Sequence, residues 1–115
     1  MAVVASFQNR RVPGGVDETP GVAVPSNLRW VELRMSRAQW PSPGMTITLM
    51  VSYDGQQSWV VGTSAFIAPG TTSAKDPVLA DALIGFGWGR NPPTHAKVIT
   101  NSPSAFRSNV TIEAD

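Results

Sequence analysis

Residues 45–53 alternate between apolar and polar side chains and carry the clearest structural signal in the chain. One set contains Met45, Ile47, Leu49, Val51 and Tyr53, and the set between them contains Thr46, Thr48, Met50 and Ser52. Because successive side chains of a strand point to opposite faces of a sheet, this period of two predicts a half-buried β-strand. Asp54-Gly55 then supplies turn residues before the β-rich run Trp59-Val60-Val61, so the stretch predicts a β-hairpin.

The length of the hairpin loop decides which face of its second strand is buried. A three-residue loop, Tyr53-Asp54-Gly55, places Gly55 at a left-handed position and pairs Leu49 with Trp59, so that Trp59 points into the core. A two-residue loop, Asp54-Gly55, pairs Leu49 with Val60 and turns Trp59 outward, because a slip of one residue exchanges the faces. We favour the first register, since burying an indole stabilises more than burying a valine.

Other alternating runs lie on both sides of the hairpin. Asn27 to Ala38 predicts a strand with Val31, Leu33 and Met35 on one face and Trp30, Glu32, Arg34 and Ser36 on the other. Residues 84–89 alternate bulky side chains with glycine, so one face is bare, which indicates that another backbone approaches it closely. This face either packs within the sandwich or forms a groove for a ligand or subunit. Residues 95–100 and 107–114 predict a closing hairpin, and residues 75–83 predict one short helical turn.

The first 27 residues contain proline and glycine too often, between Val12 and Pro25, for a regular element. They predict an extended N-terminal arm (1–27), followed by a β-sandwich domain (28–115). Such an arm is either a flexible leader or a segment that docks on a neighbouring subunit. Because Phe7 and several valines are too apolar for a solvent linker, we expect the arm to be disordered in the free protein and ordered by a partner.

Composition agrees with an all-β chain and excludes several functions. Ten Gly and ten Pro in 115 residues favour many short strands, and thus a single antiparallel β-sandwich or jelly roll. The net charge of +1 gives no field that would attract nucleic acid or a membrane. Without cysteine the chain has neither disulfides nor thiolate metal sites.

The residues offer little to catalysis. His95 is the only histidine, and the chain has no Gly-x-Ser-x-Gly elbow, so a serine triad has no basis. The carboxylates are scattered, and no calcium loop, phosphate cradle or His-rich site is present. The sequence therefore predicts a protein that is not an enzyme and that uses no cofactor or metal.

Aromatic residues are the remaining candidates for binding. We assign Trp59 and Trp88 to the core and leave Trp30 and Trp40 open, since exposed aromatics stack on sugar rings in carbohydrate-binding modules and also anchor protein interfaces. The candidate contact residues for a partner or a glycan are Phe7, Arg10, Arg11, Trp30, Arg34 and Trp40.

Residues 52–59 resemble the Asp-box, the Ser-x-Asp-x-Gly-x-Thr-Trp hairpin of sialidases and many other β proteins. Ser52, Asp54 and Trp59 match, Ser58 replaces threonine, and Gln56 stands at the glycine position, next to Gly55. In those proteins the box is a folding element away from the catalytic centre. The resemblance therefore implies a structural turn formed by Asp54, Gly55 and Trp59, and no sialidase activity.

The whole chain also resembles the small all-β structural proteins of tailed-phage particles. The shared features are the Pro/Gly-rich leader, the absence of cysteine, few charges, a compact sandwich and the closing run from Arg90 to Val98. The resemblance implies a virion protein, namely a capsid decoration (cement) protein that binds across neighbouring subunits, or else a small tail component. It also implies a homo-oligomer. The alternative is a carbohydrate-binding β-sandwich module for receptor attachment.

Overall fold

The computed structural model describes residues 2–36, 44–67 and 82–115. In this part of the chain there are nine strands and no helix that could span a membrane. They are β1 (Ala2–Val12), β2 (Gly15–Glu18), β3 (Val22–Ala23), β4 (Trp30–Ser36), β5 (Met45–Ser52), β6 (Val60–Ile67), β7 (Ala82–Gly87), β8 (His95–Ser102) and β9 (Phe106–Ala114). Trp40 lies outside the described residues, as does the predicted helical turn at 75–83 except for its last two residues, which belong to β7.

The strands form two antiparallel sheets that face each other. The first sheet has the order β1-β9-β4-β7, and the second has the order β2-β8-β5-β6, with β3 also paired to β8. The predicted all-β antiparallel sandwich is therefore confirmed.

The core lies between the two sheets, where every second side chain of the central strands points inward. Leu33, Met35, Ile47, Leu49, Val98 and Ile112 are essentially fully buried there. The apolar faces predicted for β4 and β5 are the buried ones, because alternation is a local consequence of strand geometry. The exception is Tyr53, which alternation predicts on the same face but which lies in the loop after β5 and is 39% exposed.

The N-terminal segment differs from the predicted arm, because its three strands belong to the sandwich. β1 pairs with β9 at the edge of the first sheet, while β2 and β3 pair with β8 at the edge of the second. Its pattern is irregular because β1 carries two register shifts. At the second shift Asn9 has a positive φ of 51°, and its N–H donates to Oδ1 of Asn109 at 2.7 Å. Pro13 and Gly14 therefore mark a crossing between sheets and not a flexible leader.

The central hairpin forms, but with a longer loop than predicted. β5 pairs with β6, and the loop runs from residue 53 to residue 59. Val51 lies opposite Val60 and Leu49 opposite Thr63, with a register shift at Gly62, so the predicted pairing of Leu49 with Trp59 is wrong. Gly55 does have a left-handed φ of 72°, as predicted.

The predicted closing hairpin is also wrong. β8 and β9 are consecutive, but β8 lies in the second sheet and β9 in the first. The connection is an arch, in which the hydroxyl of Ser102 donates to the backbone oxygen of Ser104 at 2.6 Å. Alternation identifies the inward face of each strand and does not identify its hydrogen-bonded neighbour, so both arrangements fit the same pattern.

Candidate functional site

In the part of the first sheet that the structure describes, one aromatic side chain lies on the outer face, at the beginning of β4. Trp30 lies opposite Gly87 of β7, and Glu32, the next outward residue of β4, lies opposite Gly85. A Cβ atom on Gly85 would lie 2.0 Å from Cζ2 of Trp30, and one on Gly87 would lie 2.9 Å from Cε3. The six-membered ring therefore covers both glycines, and the residue remains 37% exposed. We call Trp30 with these two glycines the platform.

The platform explains the alternation of bulky residues and glycine in β7. Ile84, Phe86 and Trp88 pack against the core, as predicted for Trp88, and the ring centroids of Phe86 and Trp88 are 6.3 Å apart. On the other face, the bare positions receive the indole of the neighbouring strand. The close approach predicted from the glycines therefore occurs outside the sandwich, and it is made by a side chain rather than by a second backbone.

Three carboxylates border the platform. Asp115 and Trp30 exchange two backbone hydrogen bonds of 3.0 Å, so the two residues lie directly opposite each other. Glu113 lies opposite Glu32 in the same strand pair. Side chains opposite each other in such a pair have Cβ atoms about 4.5–5.5 Å apart. We call Glu32, Glu113 and Asp115 the acidic border.

The next row along the strands adds a cation and an apolar side chain. Arg34 is exposed and lies between Thr111 of β9 and Leu83 of β7, which is 51% exposed. The outer face thus offers an aromatic ring, carboxylate acceptors and guanidinium donors within three rows. In the described ranges, no group of three or more acidic, histidine or cysteine side chains is placed to hold a metal ion.

The other predicted contact residues within the described ranges do not lie next to the platform on the outer face of the first sheet. Phe7 packs against the core, and the Arg10 guanidinium carbon lies 5.6 Å from the centre of the Phe7 ring. Arg10 also pairs with Asp17 at 3.2 Å, which links β1 to β2. Arg11 is exposed but lies opposite Arg107, at the end of the first sheet away from Trp30.

The Asp-box-like loop is a structural element. Ser52 Oγ and the N–H of Ser58 each donate to Oδ1 of Asp54 at 2.9 Å, and Ser58 Oγ donates to Oδ2. The hydrogen bonds from Ser58, followed by the one from Ser52, lower the pKa of Asp54 from its ordinary value of 3.8 to about 2. Gln56, at the glycine position of the motif, has a φ of 78°. The predicted structural role of Asp54 and Gly55 is consistent with this geometry.

Trp59 lies outside the core, which contradicts its predicted inward position. The residue is half-buried, and its ring lies 4.4 Å from the ammonium of Lys97. Lys97 stands between the buried Ala96 and Val98, so it points to the outer face of the second sheet. A Cβ atom on Gly21 would lie 3.1 Å from Trp59, which therefore packs over the β2–β3 connection. The longer loop gives Trp59 this position.

No family model and no curated protein matches the chain. Among solved structures, PirA is 17% identical with a TM-score of 0.48, over 96% of this chain and 93% of that one. The K2 cleaved adhesin domain of Lys-gingipain is 11% identical with a TM-score of 0.50, over 82% of this chain and 58% of that one. The carbohydrate-binding module CBM6cm-2 from Cellvibrio mixtus lichenase 5A, in complex with cellotriose, is 13% identical with a TM-score of 0.49, over 96% and 97%. The likeness to the adhesin domain shows a shared fold alone.

Proposed function

We propose that this protein is a carbohydrate-binding β-sandwich module and that a sugar ring stacks on Trp30 of the platform. The observation that carries the proposal is the position of the indole, which rests on Gly85 and Gly87 while part of its surface faces solvent. An aromatic ring fixed in this way loses little conformational freedom when a ligand stacks on it, because the supporting strand already restricts its rotamer.

The residues around the platform have the chemistry that sugar hydroxyls require. Carboxylates of the acidic border accept hydrogen bonds from hydroxyl groups, and the guanidinium of Arg34 donates them. The ring supplies apolar contact for the C–H face of a pyranose, and charged neighbours fix its orientation. Such a combination of one apolar surface and a few placed polar groups is typical of small-ligand sites.

We also propose that the module binds without catalysis. A glycosidase needs two carboxyl groups on opposite sides of the scissile bond. Glu32 and Glu113 instead lie side by side on one sheet face. This arrangement supports binding rather than bond cleavage.

The experiment is a binding screen on soluble neutral and acidic polysaccharides and their oligosaccharides, followed by isothermal titration calorimetry. We expect Trp30→Ala to lower the affinity about tenfold or more, as truncation of an aromatic anchor does. Phe66→Ala is the matched control, because Phe66 is a 62% exposed aromatic on the outer face of the second sheet. Absence of binding to any glycan, or an equal loss in both variants, would overturn the proposal.

A second candidate is the virion decoration protein expected from the sequence. The observation that favours it is the outer face of the second sheet, where Val16, Val61 and Phe66 are 71%, 61% and 62% exposed. Val61 and Phe66 both lie on β6, at the edge of this sheet, where a partner subunit can reach them, while Asn101 and Thr46 separate Val16 from Phe66. If Phe66→Ala no longer bound to a particle or to itself, while Trp30→Ala associated like the wild type, this function would be favoured over glycan binding.

A further inference from the structure

The acidic border lies beside the platform, with Asp115 and Glu113 on β9 and its C-terminal end and Glu32 on β4. The rows of the outer face read Asp115–Trp30–Gly87 and then Glu113–Glu32–Gly85. Because the ring covers Gly85 as well as Gly87, Glu32 stands beside the ring itself. A sugar stacked on Trp30 therefore meets carboxylates in both rows.

The formal charge of these rows and the next one is negative. The three rows contain the three carboxylates of the acidic border and one guanidinium, that of Arg34, which lies in the row farthest from Trp30. Arg29, next to Trp30 in the sequence, lies outside these three rows, and its guanidinium donates to the backbone oxygen of Leu28 at 3.3 Å. Like charges directly opposite each other in a sheet are unfavourable, and Glu32 and Glu113 have this relationship. A third negative charge above them would add to the repulsion.

Resting on the proposed function, we infer that the platform selects uncharged sugars and rejects acidic ones. Hydroxyl groups of a neutral sugar donate charge-assisted hydrogen bonds to the acidic border. In ordinary buffers the Debye length is about 8–10 Å. A uronic acid in the same position would bring its carboxylate within about this distance of the three carboxylates of the acidic border. Glu32 and Glu113 are thus specificity-determining residues, since they disfavour the wrong ligand as well as bind the right one.

The test compares tetrasaccharides that differ only in whether C6 is the carbon of a hydroxymethyl group or of a carboxylate. Three matched pairs are used: β-linked glucose with glucuronic acid, mannose with mannuronic acid, and galactose with galacturonic acid. For the wild-type protein, we expect the best neutral member to bind about tenfold more tightly than its acidic partner, which corresponds to about 1.4 kcal/mol. Raising the salt from about 0.1 M to about 1 M shortens the Debye length from about 10 Å to about 3 Å and should narrow the difference.

The double variant Glu32→Gln/Glu113→Gln should gain affinity for the acidic sugar and reduce the difference to about threefold or less. Glu18→Gln is the control, since Glu18 is an exposed glutamate of the second sheet. Equal or tighter binding of the acidic member by the wild type would overturn the inference and leave the proposed function intact. If the double variant left the affinity difference between neutral and acidic sugars unchanged, the inference would likewise be overturned and the proposed function would stand. Failure of every tetrasaccharide to bind would overturn the inference, and absence of binding in the whole glycan screen would overturn the proposed function as well.

Discussion

The benzene ring of Trp30 occupies the space that a Cβ atom on Gly85 would need, with Cζ2 only 2.0 Å from that position. We therefore expect Gly85→Ala to displace the indole and to lower glycan affinity as much as Trp30→Ala does. The forced rearrangement should also cost about 1–3 kcal/mol of stability, as overpacking does. Calorimetric titration measures the first effect and urea unfolding the second.

Gly89→Ala is the matched control for this prediction. Gly89 follows β7, and no atom lies within 4 Å of its Cβ position. This variant should bind and unfold like the wild type. If Gly85→Ala retained wild-type affinity, the position of Trp30 on β7 would not matter for binding.

Gln56 offers a stabilising substitution. Its φ of 78° is a left-handed conformation, which costs a residue with a side chain about 1–2 kcal/mol and costs glycine little. We expect Gln56→Gly to raise the free energy of unfolding by about 0.5–1 kcal/mol, because the added freedom of the unfolded chain offsets part of the gain. Gln56→Val should lower it. Denaturant melts that rank valine above glycine would contradict the left-handed assignment.

Asp54 predicts a dependence of stability on acid pH. Its folded-state pKa of about 2 lies below the ordinary value of 3.8, so folding favours the ionised carboxylate. The resulting stabilisation is present above about pH 4 and is lost as the pH falls towards 2. We expect the melting temperature of the wild type to exceed that of Asp54→Asn at pH 7.

The difference between these two proteins, rather than either melting curve alone, isolates Asp54 from the other carboxylates. It should shrink between about pH 4 and about pH 2. A difference that stays constant over this range would mean that the hydrogen bonds of Asp54 do not depend on its charge.

Local alternation predicts faces well and partners poorly. The inward positions of Leu33 and Leu49 follow from period two alone. The partners of β9 do not: β9 pairs with β1 and β4, and not with β8, because sheet order depends on contacts between residues distant in sequence. The seven-residue length of the loop stabilised by Asp54 could not be predicted from alternation for a related reason. Its side-chain hydrogen bonds replace a tight turn, and a register shift at Gly62 moves the pairing again.

The candidate site likewise has a part that local alternation predicts and a part that depends on strand pairing. Trp30, Glu32 and Arg34 share an outward face that alternation in β4 predicts. Glu113 and Asp115 join them from the other end of the chain, where no local pattern indicates a role. The glycines of β7 did carry a signal, because bare positions indicate a close approach. Identifying Trp30 as the group that approaches requires the register of β4 against β7.

The last prediction concerns the N-terminal segment, for which the sequence suggested an arm and the structure places three strands. Val12, in β1, is 1% exposed in the core, while Val16, in β2, is 71% exposed. We expect Val12→Ala to lower the free energy of unfolding by about 2 kcal/mol, from the lost methyl groups and the cavity left behind. Val16→Ala should change it by about 0.5 kcal/mol or less. Both substitutions are chemically identical and only four positions apart. Comparing their urea unfolding therefore separates the effect of burying the side chain from the effect of any substitution in this segment. Wild-type unfolding of both variants would mean that residues 2–12 do not pack into the sandwich in solution and that the extended arm is the better description.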